Sequence, residues 1–151
     1  MRKQVPKNAV ADPLESMLGF QLRRASVAVM AALTKELEPL GVLPSEASLL
    51  MFIGANPGCT QSAVGRALRA KPANLVPLVN KLMLMDALER APGKGRAISL
   101  SLSASGRTLY EKARKAFARH DERIARSLSA KARRDVIRAL MQVCEDACCA
   151  D

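Results

Sequence analysis

The sequence of 151 residues contains no tryptophan and few aromatic residues of any kind, which make up 3% of the chain. A hydrophobic core must therefore be built from Leu, Val, Ala, Met and Ile. Ala, Leu and Met lose little conformational freedom on entering a helix, so this composition favours packed helices over a β-sandwich. The length fits one domain, or one compact core with a helical extension.

Histidine and cysteine are also scarce. His120 is the only histidine, and the cysteines are Cys59, Cys144, Cys148 and Cys149. None of them lies near the histidine at the spacing of a metal site, and no Cys-x-x-Cys pattern occurs. A nucleophile with its general base is not evident either. The sequence therefore predicts that the protein is not an enzyme and uses no metal or other cofactor.

Long apolar runs are missing, since none approaches the roughly 20 residues that span a bilayer. No apolar stretch of signal-peptide type follows the basic N-terminus. We therefore expect a cytoplasmic protein with no membrane partner, in which a disulfide framework does not form.

Acidic residues are few relative to basic ones. The chain has 14 Asp and Glu against 24 Lys and Arg, for a formal net charge of +10. Such an excess in a small domain favours a polyanionic partner, with nucleic acid ahead of an anionic membrane surface. The basic helices lack the Trp- and Phe-rich face that membrane insertion needs. A basic protein without such a partner is the alternative at this point.

Capping residues and helical periodicity divide the first part of the chain into elements. Residues 1–11 are expected to form a flexible basic arm. Asp12-Pro13 predicts the start of a long helix that reaches Leu37, because an acidic N-cap followed by Pro is favoured there. A short apolar helix follows from Pro44 and stops at Asn56-Pro57-Gly58.

The next two predicted helices are joined by a tight connector. Thr60 is a good N-cap for a helix over residues 61–68. A fourth helix follows from Pro72 to about Met85, with one apolar stripe and a polar face. This arrangement is typical of a helix-turn-helix.

The hydrophobic period then changes from helical to alternating. Residues 98–102 alternate apolar and polar side chains, which predicts a half-buried strand, and residues 88–91 are a plausible partner strand. The turn between them carries a basic tip. Ser103 predicts the N-cap of a long helix to about Leu128, and Ser129 caps a last helix to about Cys148.

In this order the elements resemble the MarR family of winged helix-turn-helix regulators, over about residues 14–145. The fragments that carry the resemblance are Leu-Gly-Val-Leu-Pro at 40–44, Thr-Gln-Ser-Ala-Val-Gly-Arg-Ala-Leu at 60–68, Leu-Val-Asn-Lys-Leu at 78–82, Leu-Glu-Arg at 88–90 and Leu-Ser-Ala-Ser-Gly at 102–106. The fold class is therefore predicted as mainly α with a small β-hairpin wing. Residues 38–102 are the winged DNA-binding domain, and residues 12–37 and 103–151 form a helical dimerisation region.

The resemblance implies a homodimer that binds a palindromic operator on double-stranded DNA, as a repressor in the family's usual mode. Two features depart from the family. An Asp-Arg-Arg-type signature is usual near the wing tip, whereas this chain has Lys94-Gly95-Arg96 and so lacks the acidic brace of the arginine. Pro77 replaces a polar residue that is common in the recognition helix.

Pro77 also constrains where the fourth helix begins. If Pro72 is the first helical residue, Pro77 lies in the helix interior and removes a hydrogen bond, at a cost of roughly 3 kcal/mol. If Asn74 is the N-cap, Pro77 falls at the third helical position, where its missing N–H would have no helical partner. We therefore expect either an irregular first turn or a late start at Asn74.

The candidate DNA-binding surface combines the third helix, the polar face of the fourth and the wing tip. Asn74 is the candidate for base recognition, because Asn pairs bidentately with adenine, and a helix-cap role is the alternative. For each basic residue the alternative is a solvated surface charge. The candidate set is Gln61, Ser62, Arg66, Lys71, Asn74, Pro77, Asn80, Lys81, Lys94 and Arg96.

The family resemblance also implies a small effector, often phenolic or an aromatic acid, bound between the dimer helices and the DNA-binding domain. Two arginines on the apolar first helix could pair with a carboxylate, although an exposed basic pair is the favoured alternative. Apolar side chains could line an adaptable pocket or simply form core. The candidate effector-binding residues are Met17, Arg23, Arg24, Met30, Met51 and Phe52.

Two alternative functions stay open. The first is a redox-responsive regulator of the same fold that uses its cysteines, although the family's peroxide-sensing Cys near the N-terminal helix has no counterpart here. Cys144, Cys148 and Cys149 are interpreted as buried or frayed-end thiols, and Cys59 is expected to be the most exposed of the four. The second alternative is a non-specific nucleic-acid-binding protein, whose binding would be almost entirely electrostatic.

Overall fold

Most helices begin and end where the capping residues predict. The structure is a computed structural model that describes residues 11–93 and 98–148. The predicted class, mainly α with a β-hairpin wing, is confirmed. The elements are α1 (Leu18–Leu37), a 3₁₀ turn (Glu38–Leu40), α2 (Pro44–Ala55), β1 (Cys59–Thr60), α3 (Gln61–Ala67), α4 (Pro72–Leu84), β2 (Leu88–Pro92), β3 (Ile98–Leu102), α5 (Ala104–Ile124) and α6 (Ala130–Cys148).

Three hydroxyl side chains cap helices as predicted. Thr60 Oγ1 accepts a hydrogen bond from the Ala63 N–H at 3.2 Å. Ser103 Oγ accepts from the Gly106 N–H at 2.9 Å, and Ser129 Oγ accepts from the Ala132 N–H at 3.1 Å. Each bond satisfies an N–H that has no partner inside the helix, so α3, α5 and α6 start at these residues.

Two predicted helix ends are wrong. The first helix does not begin at Asp12, whose carboxylate instead accepts from the Leu14 N–H at 3.0 Å and closes a separate turn before α1 starts at Leu18. Asp12 also pairs with Arg24 at 2.7 Å, which ties this turn to α1. The fifth helix ends at Ile124 rather than Leu128, because residues 125–128 form a turn that leads to the Ser129 cap.

The sheet contains one strand more than the sequence predicts. β3 lies in the centre, with β2 and β1 antiparallel on either side. The hairpin pairs Leu88 with Leu102 and Arg90 with Leu100, which confirms the predicted partner strand. β1 is only two residues long, so its pairing of Cys59 with Leu100 leaves no periodic signal in the sequence.

The hydrophobic core lies where α2, α4 and β3 meet the C-terminal half of α1 and the middle of α5. It is built from Leu, Val, Ala and Ile, as the composition predicts, whereas methionines contribute only partly buried side chains. The buried apolar residues are Leu33, Leu37, Val42, Ala47, Leu49, Leu50, Ile53, Val64, Leu75, Val79, Leu82, Ala87, Leu88, Leu100, Leu102, Ala113 and Ala116. This core fixes the positions of α3, α4 and the hairpin, which we call the central lobe (residues 38–102).

Gly106 allows α5 to pack directly against the start of the wing. A Cβ atom at this position would lie 1.9 Å from the carbonyl oxygen of Ala87. Ser103 and Ser105 bond the neighbouring Asp86 carbonyl through their hydroxyl groups. The Leu-Ser-Ala-Ser-Gly segment therefore joins α5 to the central lobe by close backbone contact.

The helices outside the central lobe are packed differently. No side chain of α6 is buried, and the first half of α1 is largely exposed. On α6 the residues Ile137, Leu140, Met141 and Cys144 are exposed at the spacing of one helix face, which we call the α6 apolar face. This face opens towards Arg69, and together they line a groove of about 390 Å³.

Candidate nucleic-acid interface

The fourth helix, α4, begins at Pro72 and continues without a break through Pro77. The expected irregular first turn and the expected late start at Asn74 are therefore both wrong. The alternative role of Asn74 as a cap is wrong as well, because Lys71 is the N-cap residue. The Lys71 carbonyl accepts from both the Asn74 and the Leu75 N–H groups, at 2.9 and 3.2 Å. The carbonyl that Pro77 leaves without a helical donor belongs to Ala73. Both residues are exposed, so water can satisfy that carbonyl.

The polar face of α4 points away from the core. Leu75, Val79 and Leu82 are buried on one side of the helix. The four sequence-predicted residues Asn74, Pro77, Asn80 and Lys81 are all exposed. The structure therefore leaves this face free to enter a groove of DNA, while the apolar stripe holds the helix to the lobe.

Lys81 makes a specific contact rather than being a solvated charge. Its ammonium lies 2.8 and 2.9 Å from the two carboxylate oxygens of Glu46, whose side chain is 3% exposed. Glu46 also accepts from the Leu43 N–H at 2.8 Å, at the start of α2. Because a buried carboxylate is costly without a partner, this pair ties the recognition helix to α2.

Basic side chains converge where α3 meets α4. Arg66, Arg69 and Lys71 line a groove of about 570 Å³, together with Gln61 and Ser62 from the start of α3. Four of these five residues are in the sequence-predicted set, and the structure brings them together. Three positive charges beside a polar helix N-terminus form a surface suited to phosphate.

Arg69 was missed by the sequence analysis, which treated it as part of a connector. The Ala70 N–H bonds the Gly65 carbonyl at 2.9 Å, so α3 ends in a Schellman turn with Arg69 at the position where Gly is usual. Arg69 accordingly has a φ of 49°. Strained conformations of this kind concentrate at functional sites. A sequence signal could have identified Arg69. It is a residue other than Gly between the end of a short helix and the Pro that begins the next helix.

The wing approaches the recognition helix through Arg90 of β2. Its guanidinium donates to Asn80 Oδ1 at 3.3 Å. Arg90 was not predicted as a functional residue, because on the sequence it is only an exposed strand position. The predicted wing-tip residues Lys94 and Arg96 lie outside the described residues.

The six candidate effector residues fall into two groups. Met17, Arg23, Arg24 and Met30 are exposed on or just before α1, whereas Met51 and Phe52 are partly buried on α2. Arg24 pairs with Asp12 and lies 4.7 Å from the Phe20 ring centroid, so its charge already has partners.

The expected order of cysteine exposure is wrong. Cys59 is only partly exposed because β1 pairs it with β3, whereas Cys144 and Cys148 are exposed on α6. Burial raises the pKa of the Cys59 thiol. Cys148 Sγ accepts from Arg69 Nη1 at 3.3 Å, which places the end of α6 beside the α3–α4 turn.

Neither a metal cluster nor a single spanning helix is found in residues 11–93 and 98–148. No three His, Cys, Asp or Glu side chains lie together as ligands there. Only the bent pair Leu18–Leu40 and Pro44–Ala55, at 73° to each other, has the combined length and composition of a membrane span.

The chain is similar in sequence to known transcriptional regulators, although no protein-family model matches it. The HTH-type transcriptional repressor Rv2887 of Mycobacterium tuberculosis is 25% identical over 134 residues, which cover 87% of this chain and 96% of the repressor. The proposed transcriptional regulatory protein for the hcr operon of Thauera aromatica is 29% identical over 139 residues, covering 85% of this chain and 84% of that protein.

Solved structures agree with these sequence relatives. The transcriptional repressor CouR bound to p-coumaroyl-CoA matches with a TM-score of 0.79 at 26% identity, over 87% of this chain and 94% of CouR. The MarR family protein Rv2887 in complex with p-aminosalicylic acid matches with a TM-score of 0.66 at 25% identity, over 83% and 97%. The Staphylococcus aureus MepR–DNA complex has a TM-score of 0.78 at 16% identity, over 86% and 96%, and so shares the fold alone.

The fold, the recognition helix and these relatives define a winged helix-turn-helix transcriptional regulator. In sequence and fold the chain is similar to regulators of the MarR family.

Proposed function

We propose that the protein is a homodimeric repressor that binds a palindromic operator in a sequence-specific way and is released by a small effector. The observation that carries this proposal is the combination of an exposed polar face on α4 with the Arg66, Arg69 and Lys71 cluster beside it. A helix face of this kind contacts base edges, while the neighbouring positive charges fix its register on phosphate.

The residues have different roles in this proposal. Asn74 and Asn80 contact base edges, and Pro77 supplies an apolar surface between them. Lys81 positions the recognition helix through Glu46 rather than acting as a free phosphate ligand. Between residues 61 and 102 the chain has seven basic and two acidic residues, so phosphate attraction is concentrated here. Gln61, Ser62, Arg66, Arg69 and Lys71 contact the backbone, and Lys94 and Arg96 extend the contact from the wing.

A second copy of the chain is the proposed partner of the helical region. The α6 apolar face has no cover among the described residues, and Leu18, Val27 and Met30 are exposed on α1. An apolar helix face without cover is the kind of surface at which a second molecule docks. A two-fold dimer presents two recognition helices to two half-sites about one helical turn apart, as a palindrome requires.

An aromatic or carboxylate effector is supported by the relatives rather than by the candidate residues. CouR is bound to p-coumaroyl-CoA, and Rv2887 is in complex with p-aminosalicylic acid or salicylic acid. Each carries an aromatic ring and an acyl or carboxyl group. We propose the same class of effector here.

The test is a fluorescence-polarisation titration of the full chain against the intergenic DNA beside its own gene and against a scrambled duplex, at near-physiological salt. Preference for the native segment that persists as salt rises supports a specific regulator. Arg96→Glu should weaken binding to all sequences, and Asn74→Ala should relax discrimination at one base position. Arg126→Glu, in the exposed turn after α5, is the control with the same change of charge.

Other outcomes select the alternatives. Equal and strongly salt-dependent binding to both duplexes would favour a non-specific nucleic-acid-binding protein. Release of DNA by peroxide that is lost in a variant with Ser at the C-terminal cysteines would favour a redox-responsive regulator. If neither Arg96→Glu nor Asn74→Ala changes binding, the proposed surface is wrong.

A further inference from the structure

The outward side of the recognition helix α4 carries apolar residues along its centre. Ala73, Pro77 and Leu84 are four and seven residues apart, so they follow one another along the side opposite the buried Leu75. All three are exposed, and Val76 lies beside this row with 44% of its surface exposed. An apolar row therefore occupies the part of the helix that faces away from the core.

Polar residues next to this row are engaged in contacts within the chain. Asn80 Oδ1 accepts from Arg90 Nη2 at 3.3 Å, and the Lys81 ammonium is paired with the carboxylate of Glu46. A bidentate contact with adenine needs both the oxygen and the amide nitrogen of an Asn side chain. Because its oxygen is occupied, Asn80 offers a donor alone, which any acceptor on a base edge satisfies. Beyond Asn74, sequence discrimination by α4 therefore depends on the apolar row.

The apolar residues nearest the start of α4 are the ones placed to reach DNA. The N-terminal residues of a recognition helix contact base edges in the major groove. The basic groove between α3 and α4 lies at the same end of the helix, since its lining includes Lys71 and Pro72. Phosphates held in that groove bring the base edges onto Ala73, Val76 and Pro77, which we call the apolar contact surface.

The apolar group that a base pair presents in the major groove is the 5-methyl group of thymine. Methylated cytosine carries the same group at the same ring position. We infer that the apolar contact surface packs against pyrimidine 5-methyl groups, so that Val76 and Pro77 select thymine or 5-methylcytosine in each operator half-site. This inference rests on the proposed function, because it names the bases that the recognition helix selects.

Removal of single methyl groups tests the contact from the DNA side. The probe is the tightest-binding duplex that the full chain selects from a random library. Replacing each thymine in turn by deoxyuridine removes the methyl group and keeps every hydrogen-bonding group of the base. In the polarisation assay we expect about fourfold weaker binding where a thymine faces the apolar contact surface, because one buried methyl group is lost. Thymines elsewhere should change affinity by less than about twofold.

A second exchange separates the methyl contact from hydrogen bonding. Replacing a sensitive thymine–adenine pair by cytosine–guanine changes both the methyl group and the hydrogen-bonding pattern. Methylating that cytosine at C5 restores the methyl group alone, and we expect it to recover about fourfold in affinity. Both exchanges use the unsubstituted protein, so they do not depend on the folding of a variant.

Protein variants locate the contact on α4. Val76→Ala combined with Pro77→Ala should bind the thymine and deoxyuridine duplexes with less than about twofold difference. Leu84→Ala, further along the same side of the helix, is the matched control and should keep the full difference. Alanine is the best helix former, and Pro77→Ala restores an N–H donor for the Ala73 carbonyl, so the double variant should melt no lower than the unsubstituted protein. If it melts lower, Val76→Ala alone replaces it and should still reduce the difference.

Three results would overturn the inference. Deoxyuridine leaves the affinity unchanged at every position, methylation of the cytosine recovers no affinity, or the alanine variants keep the full difference between thymine and deoxyuridine. Any of these results, obtained with a duplex that the protein prefers over scrambled DNA, leaves sequence-specific binding and the proposed function standing. A selection that yields no preferred sequence would overturn the proposed function and this inference together.

Discussion

The central lobe and the helical region differ in how far they bury their apolar side chains. In the lobe, α2 and α4 bury apolar side chains against each other, α2 also packs on β3 and α4 on β2, and the shared core contains fully buried Leu49, Leu50 and Ile53. In the helical region, α6 buries no side chain, although its apolar residues have the spacing of a continuous face. The same Leu-, Ala- and Val-rich composition therefore gives a completed core in one region and an open surface in the other.

This difference shows which part of the protein depends on a partner. Stability of the lobe comes from contacts within the chain, whereas the α6 apolar face has no cover among the described residues and would be buried by a second copy in the proposed dimer. Substitutions in the lobe should therefore change the free energy of unfolding, and substitutions on α6 should change association.

Gly106→Ala should have the largest effect, because the added methyl group overlaps the Ala87 carbonyl oxygen, a backbone atom that cannot rotate away. We expect a loss of at least about 3 kcal/mol in the free energy of unfolding, measured by chemical denaturation. Gly19→Ala, on the open surface of α1, is the matched control and should be neutral or stabilising. Equal behaviour of the two variants would mean that α5 does not pack on the wing as described.

Ile137→Glu should break association rather than folding. A carboxylate on the α6 apolar face would have to be buried without a partner, which weakens a dimer by roughly 2 kcal/mol or more, about 30-fold. Sedimentation velocity should show a monomer with unchanged helical content. Gln142→Glu, on the opposite face of the same helix, should remain dimeric. A dimeric Ile137→Glu protein would exclude this face as the interface.

Lys81→Met should destabilise the lobe by about 2 kcal/mol, because it leaves the buried Glu46 carboxylate with only the Leu43 N–H. The double variant Lys81→Met with Glu46→Gln should recover part of that loss, as a double-mutant cycle in denaturant would show. No recovery would mean that Lys81 stabilises the helix without Glu46.

Arg69→Gly should move stability and DNA affinity in opposite directions. Removing the left-handed strain at this Schellman position should stabilise the lobe by about 1 kcal/mol. Removing the positive charge should lower operator affinity and reduce the salt dependence by about one phosphate contact. Arg69→Asn, which also tolerates this conformation, should behave similarly. Reduced stability in both variants would contradict the assignment.

The smallest effect concerns thiol reactivity. Because burial raises the pKa of Cys59, less of it is thiolate at neutral pH than for an exposed thiol. Cys144 and Cys148 should therefore be alkylated by iodoacetamide before Cys59 at pH 7.5, as peptide mass spectrometry would show. Faster labelling of Cys59 would indicate that β1 opens in solution.

Local chemistry explains what could be predicted from the sequence. The caps at Thr60, Ser103 and Ser129 and the alternation of residues 98–102 act within a few residues, so they located the helices and the hairpin. The Asp12 cap was assigned to the wrong element, since a capping side chain serves an isolated turn as well as a helix. Pro77 is tolerated because its lost hydrogen bond faces solvent, which depends on the packing of α4 and not on its sequence.

The site was less predictable because its key contacts join distant segments. Lys81 and Glu46 are 35 residues apart, and nothing in either local sequence indicates that they pair. Arg69 becomes part of the basic groove only because its own backbone adopts a left-handed conformation in the turn after α3.

The length of α5 has a mechanical consequence. Its 21 residues form one unbroken helix of about 32 Å, fixed to the wing by Gly106 at one end and packed against α1 towards the other. Because the helix is this long, a tilt of a few degrees about its contacts with α1 displaces the wing by a few ångströms. In the proposed dimer, the angle between the two α5 helices therefore sets the distance between the two recognition helices. That distance determines which spacing of operator half-sites the protein binds.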